Sequence, residues 1–177
     1  MSYIIGLISG IFSGVLSSII AQIIFLRSKP KLTISDSISK SIVTDHKTQK
    51  QHPEYKIKII NNSKYYVKSL KIYTRLIKTN NIEGGINLVI YPIKIVYSNI
   101  DIIDPYDSND ADARYAIKIR LVDNLEELWI DDTYYLEIKI YCENAINNSG
   151  KVFIKEYRTK KSIKEGSFKA NKSLDIL

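Results

Sequence analysis

Tyr55–Lys78 reads YKIKIINNSKYYVKSLKIYTRLIK, and its alternation decides the fold. Successive side chains of a strand point to opposite faces, so Tyr55, Ile57 and Ile59 share one side while Lys56 and Lys58 take the other. Asn61-Asn62-Ser63 interrupts the run with turn chemistry. Tyr66 to Ile77 then resumes the period of two, with Leu70, Ile72 and Leu76 opposite Lys71 and Arg75. A sheet with one wet face and one buried face writes this pattern, and a helix does not.

The pattern continues in both directions. Upstream, Lys31–Asp36 (KLTISD) starts a first strand just after Pro30. Residues 37–53 are polar, carry both histidines and read as a long loop or a poorly ordered strand. Downstream, Asn80–Gly85 is a turn. Ile86–Tyr97 (INLVIYPIKIVY) is apolar on both faces but holds Pro92, which fits two short strands or an edge strand. Asp101–Asp112 is an acidic loop. Arg114–Val122 and Thr133–Glu143 alternate again, the second with Leu136, Ile138, Ile140 and Cys142 inward. Between them Asp123–Glu126 resembles a helix-starting box, with Leu125, Leu128 and Trp129 at helical spacing. Asn144–Gly150 turns the chain into Lys151–Lys161, and a polar tail follows over 162–177.

Short alternating strands, turns rich in Asn, Gly and Ser, and no long intervening helices predict an all-β soluble domain over 32–161, an antiparallel sandwich or barrel. On Tyr55–Lys78 and on DTYYLEIKIYCENAINNSGKVFIKEY (Asp132–Tyr157) the order of strands resembles an immunoglobulin-type β-sandwich. Folds of that kind carry many unrelated functions, so the resemblance implies architecture alone.

Ahead of the domain stands Tyr3–Leu26, YIIGLISGIFSGVLSSIIAQIIFL, 24 residues without a formal charge. A helix rises ~1.5 Å per residue, so this run covers roughly 36 Å against a ~30 Å hydrocarbon core. It predicts one transmembrane helix over 3–26. A signal peptide would need a basic n-region and a shorter apolar core, whereas here the basic residues Arg27, Lys29 and Lys31 follow the run over the 27–31 flank. By the positive-inside rule that flank keeps residues 27–177 in the cytoplasm with the N-terminus outside. Cys142, the single cysteine, suits a reducing compartment. The glycosylation patterns at Asn61, Asn147 and Asn171 are expected by chance in an Asn-rich chain.

The helix carries two interleaved rows of small residues. Gly6, Gly10, Gly14, Ser18 and Gln22 recur every four positions, and so do Ser9, Ser13, Ser17 and Ala21. Both rows lie on one helical face. In lipid, small residues let backbones approach closely and hydroxyls or amides bond across, so this face predicts self-association or a partner membrane helix. The alternative is that Gly and Ser are common in membrane helices.

Charge is uneven along the chain. The net +7 includes an acidic stretch at 101–132, with 3 basic and 10 acidic residues, between two basic ones. A basic domain tethered to a membrane points first to the lipid bilayer and its anionic headgroups. Nucleic acid is the weaker reading, because no nucleic-acid motif accompanies the charge. The abundance of Ile, Lys and Asn is that of an AT-rich genome and predicts a low-GC bacterium, hence the inner membrane.

Catalytic chemistry is hard to assemble from this sequence. His46 and His52 with Asp45 have no standard metal spacing. Asp107, Asn109 and Asp110 resemble the start of a calcium loop, but Asp112 and Lys118 stand where its glycine and glutamate belong. Cys142 on a core-facing position reads as a buried thiol, and Gly84-Gly85 as a turn rather than a phosphate loop. No Ser/His/Asp constellation is visible, and Trp129 and the tyrosines read as packing. The expectation is a non-enzymatic protein without cofactor or metal.

The whole arrangement, a membrane segment at Tyr3–Leu26 followed by a compact β-rich cytoplasmic domain, resembles the membrane-anchored β-strand-rich effectors of bacterial cyclic-nucleotide antiphage defence. In that family the β-domain binds a small nucleotide and the helices assemble to damage the membrane. The resemblance is one of architecture, and it departs from the family in having one membrane helix rather than two. Two functional expectations follow: a membrane-anchored β-domain acting by binding and helix-mediated assembly, and a nucleotide-gated membrane effector.

Overall fold

The computed structural model describes residues 2–44 and 49–177. Helix α1 (Ser2–Arg27) leads into ten strands: β1 (Leu32–Ile34), β2 (Ile38–Thr44), β3 (Gln51–Asn61), β4 (Val67–Ile82), β5 (Gly85–Pro92), β6 (Asn99–Ile103), β7 (Ala116–Leu121), β8 (Tyr134–Asn144), β9 (Gly150–Tyr157) and β10 (Ile163–Glu165). A single turn of helix, α2 (Leu125–Leu128), sits between β7 and β8.

Two five-stranded sheets form. The axis of the first is β3, which pairs β1 and β2 in tandem along one edge and β7 along the other. β10 adds parallel to β2, while the remaining strand pairs are antiparallel. The axis of the second is β4, with β8 on one edge, β5 and β6 in tandem on the other, and β9 outside β8. The inner faces share one core. Tyr55, Ile57, Ile59, Ile119 and Leu121 meet Leu70, Ile72, Leu76, Leu136, Ile138, Ile140 and Cys142. Each fully buried Ile or Leu contributes on the order of 1.5–3 kcal/mol, so this layer dominates stability. The fold is thus a β-sandwich preceded by a helix, as the alternation predicts.

One side of the sandwich is bridged. After Pro92 the chain leaves the second sheet, and Ile95 bridges Leu121 of β7. Ile93 N still donates to Thr74 O (3.0 Å), while Val96 N donates to Arg120 O (3.0 Å). Residues 93–98 therefore link the two sheets before the chain returns as β6. Pro92 ends β5, consistent with the missing donor at that position.

Several elements differ from expectation. Residues 37–53, expected as a long loop or a poorly ordered strand, hold β2 and the start of β3; Asp45 and His46 lie outside the described residues. The first three residues of the segment expected as an acidic loop belong to β6. The cap of α2 is Asn124, whose side chain accepts from Glu126 N, while Asp123 Oδ2 instead accepts from Lys94 N at 2.7 Å. Leu125 and Trp129 are buried but Leu128 is exposed, so a single turn plugs the core with two residues. The β-rich domain also continues past residue 161, because β10 belongs to the first sheet.

The tail does more than end the chain. It folds over the outer face of the first sheet, where Lys58 Nζ donates to the carbonyls of Lys169 (2.9 Å), Asn171 (2.6 Å) and Ser173 (2.8 Å). Lys58 is only 1% exposed. Burial, with the neighbouring Lys118 charge, pushes its ammonium below the usual lysine range. Gly166 has φ +114, and a Cβ there would meet Leu177 O, so the loop closes tightly on itself. Hydrogen bonds from a charged donor contribute about 1.5–3 kcal/mol each in gross terms, less the desolvation of the ammonium. Lys58→Met keeps the apolar stem and removes the three bonds. It is expected to cost about 2 kcal/mol in urea unfolding and to speed proteolysis within 167–177 selectively. Cleavage of the tail at the parent's rate would show that Lys58 does not hold it.

Candidate functional site

Three surfaces stand out, beginning with α1. Its Gly6–Arg27 portion, 22 residues with mean hydropathy 2.0, is long and apolar enough to cross a membrane and is unburied by the rest of the chain. Gly6, Ser9, Gly10, Ser13, Gly14, Ser17, Ser18, Ala21 and Gln22 are all exposed. A Cβ added at Gly6, Gly10 or Gly14 would meet no atom within 4 Å. Ser18 Oγ donates back to Gly14 O (2.9 Å), so this hydroxyl is engaged within its own helix. The small face is open, with room for a backbone to approach. Beyond the helix, Arg27, Lys29 and Lys31 converge beside the Asn62–Tyr65 turn at the near rim of the sandwich.

The second surface is β5, GINLVIYP. It pairs only β4, carries no charge, and leaves its other edge unpaired among the described residues. Ile86, Leu88 and Ile90 lie on the outer face of the second sheet, opposite Asn81, Thr79 and Ile77, and are 68%, 49% and 47% exposed. A strand edge of this kind presents unpaired N–H and C=O groups to a partner chain.

The third is a groove of about 560 Å³ where residues 93–98 peel away from β7. Lys56, Lys118 and Arg120 line it with Tyr97, which is 73% exposed, and with apolar Val96, Ile100, Ile117 and Ile119. The cations come from facing register positions, Lys56 opposite Arg120 and Lys58 opposite Lys118, on the outer side of the sheet. Glu54 is the one carboxylate in the lining. Lys56 and Arg120 both pair with it, the latter at 3.0 Å. Burial pushes the Glu54 carboxyl up, but hydrogen bonds from Lys56 and Arg120 outweigh this and hold it below its ordinary value. A carboxylate held ionised by two cations is a poor proton acceptor. The groove thus places three cations, two of them paired with Glu54, beside an exposed tyrosine and an apolar wall.

The other singled-out residues are scattered. Cys142 is fully buried, and burial pushes its thiol up to about 12, which leaves it unreactive at neutral pH. His52 is an exposed residue of β3. Asp110 is tied to Arg114 and to the backbone of its own loop. Among the described residues no group of three or more His, Cys, Asp or Glu stands close enough to hold a metal ion. Sequence reasoning missed the groove. Its signal was present in part, because Lys118 and Arg120 alternate with Ile117 and Ile119, but Tyr97 joins them only through the bridge between the sheets.

Comparisons with known proteins add little. No family model matches the chain, and no curated protein matches it. Among solved structures, the ApaA protein of Bordetella pertussis is similar over 72% of this chain and 91% of its own, with 13% identity and a TM-score of 0.36. A likeness that slight carries no argument about function.

The Glu54 cluster makes a pH prediction. Because its folded pKa is depressed, its contribution is fully present above the unfolded value near 4.5 and is lost as pH falls through the folded value. Thermal midpoints measured from pH 7 to pH 3 should fall more steeply for the parent than for Glu54→Gln. Parallel curves would mean that the cluster adds no pH-dependent stability.

Proposed function

We propose that this chain is a single-pass membrane protein of a bacterial inner membrane, acting by binding and helix-mediated assembly without chemistry of its own. The observation that carries the reading is the apolar helix whose small-residue face stands open, with space at each glycine. The basic flank Arg27, Lys29 and Lys31 supports an orientation with the sandwich in the cytoplasm. The uncharged edge of β5 supports capture of a partner protein by strand addition. Assembly then brings several such edges together, and each gains avidity from its neighbours.

A second reading is favoured by the groove. Lys118, beside Lys56 and Arg120 that already pair with Glu54, and the exposed Tyr97 suit the phosphate and base of a small nucleotide, and a nucleotide bound there would gate assembly in the manner of a membrane-disrupting antiphage effector. Saturable binding of a cyclic nucleotide, lost in Lys118→Glu with the fold intact, would favour this reading. Absence of binding across cyclic mono- and dinucleotides removes it.

Helix assembly is tested by Gly10→Ile and Gly14→Ile, read by crosslinking in membranes with insertion checked in parallel. Both should abolish association while leaving insertion unchanged, since isoleucine is more hydrophobic than glycine. Gln22→Leu should weaken association less, because an interhelical hydrogen bond in membranes averages only ~0.6 kcal/mol. Ile11→Leu and Ile19→Leu on the bulky face should do little. Association of Gly10→Ile at the parent's level would place the interface elsewhere.

A further inference from the structure

The end of α1 is fastened to the sandwich, and a cationic pocket lies at the fastening. Asn144 and Asn147, on the β8–β9 turn, donate side-chain hydrogen bonds to Ser28 O and Ser28 Oγ. Lys31 N donates to Ser63 Oγ (3.0 Å), and Asn62 N donates to Lys31 O (2.7 Å). These bonds hold the basic flank against the β3–β4 turn. Between them opens a pocket of about 190 Å³ lined by Arg27, Lys29, Lys31, Lys64, Ser63 and Tyr65, with Asn62 at its side. The lining holds no carboxylate, and none of its four cations forms an ion pair among the described residues. Elsewhere eight cations, Lys40, Lys56, Arg75, Arg114, Arg120, Lys155, Arg158 and Lys169, are answered by carboxylates, while others such as Lys68, Lys71 and Lys139 form no ion pair among the described residues; what sets this pocket apart is that four such cations line one concavity. Four unanswered cations around one concavity call for an anion from outside the chain.

Depth identifies the anion. The 22 residues Gly6–Arg27 rise roughly 33 Å, close to the ~30 Å hydrocarbon thickness, so Arg27 falls at the hydrocarbon boundary and the pocket opens among the headgroups. Tyr65 and Tyr66, 39% and 47% exposed, stand on the same rim, where amphipathic rings favour the interface. Ile146, 71% exposed, lies on the turn fastened to Ser28. We propose that this pocket binds the headgroup phosphate of an anionic glycerophospholipid. Arg27, Lys29, Lys31 and Lys64 supply the charge, and the Ser63–Tyr65 turn closes one wall. Lys64 is the unexpected member, contributed by a turn distant in sequence from the flank. The proposal rests on α1 crossing a bilayer but not on helix assembly.

The test is retention of added phosphatidylglycerol or phosphatidylcholine by the full-length protein in mild detergent, read by native mass spectrometry. The parent should keep one phosphatidylglycerol in preference to phosphatidylcholine. Lys64→Gln should reduce retention about fivefold and Lys31→Gln/Lys64→Gln about 25-fold, at roughly a factor of five per charge. Both lysines are exposed, so unchanged thermal midpoints are expected and serve as the fold control. Lys161→Gln, past the far end of β9, should retain the lipid as the parent does. Gly10→Ile should also retain it even where assembly is lost, which separates this pocket from the helix interface. Equal retention of the two lipids, retention unaffected by the double variant, or loss in Gly10→Ile would each overturn the proposal. Displacement of the lipid by millimolar inorganic phosphate would overturn it in favour of a free-phosphate site.

Discussion

Burial of β3 on both faces is the constraint on which the rest of the molecule depends. Tyr55, Ile57 and Ile59 face the core with no exposure, and on the opposite side Glu54, Lys58 and Ile60 are 7%, 1% and 2% exposed. Neighbouring strands occupy both edges as well. A fully buried charge on such a strand must be answered within the protein. Glu54 is answered by Lys56 and Arg120, and Lys58 by three carbonyls of the tail. The tail buries Phe168 and packs Leu174 beside Ile60 and Tyr115, and to Lys58 it supplies backbone oxygen.

Strands with one wet face were legible from their alternation. β4, β7 and β8 place the expected side chains inward because charged residues and tyrosines, such as Lys71, Tyr73 and Arg75 or Glu137, Lys139 and Tyr141, alternate with them on the opposite face. β2 was not legible, since ISKSIVT mixes serine and lysine into a strand whose neighbours cover it only in part. The start of β10 and the tail were hidden for a different reason: their order comes from bonds to Lys58 and Lys40, which lie more than a hundred residues earlier. No local pattern records a contact at that separation. The helix was read almost to its ends, the structure extending it by one residue on each side to Ser2 and Arg27.

The candidate surfaces divide in the same way. Gly6, Gly10 and Gly14 are visible in sequence because a four-residue repeat is a property of the helix alone. The groove and the rim pocket need two turns or two sheets to meet, and they were legible only as isolated basic residues. Lys56, Lys118 and Arg120 became a site when residues 93–98 crossed from one sheet to the other. The one buried carboxylate of the groove, Glu54, is held ionised by Lys56 and Arg120.

The fastening at Ser28 has a mechanical consequence. Only Ser28, Lys29 and Pro30 separate the helix from Lys31, whose backbone is already bonded to the sandwich, and Ser28 is itself gripped by two asparagines. A joint this short cannot swivel freely. Were α1 to span a bilayer, any tilt of the helix would swing the β-domain with it, as a mast carries its masthead, and a push on the far end of the sandwich would return to the helix as torque, because only three residues join them.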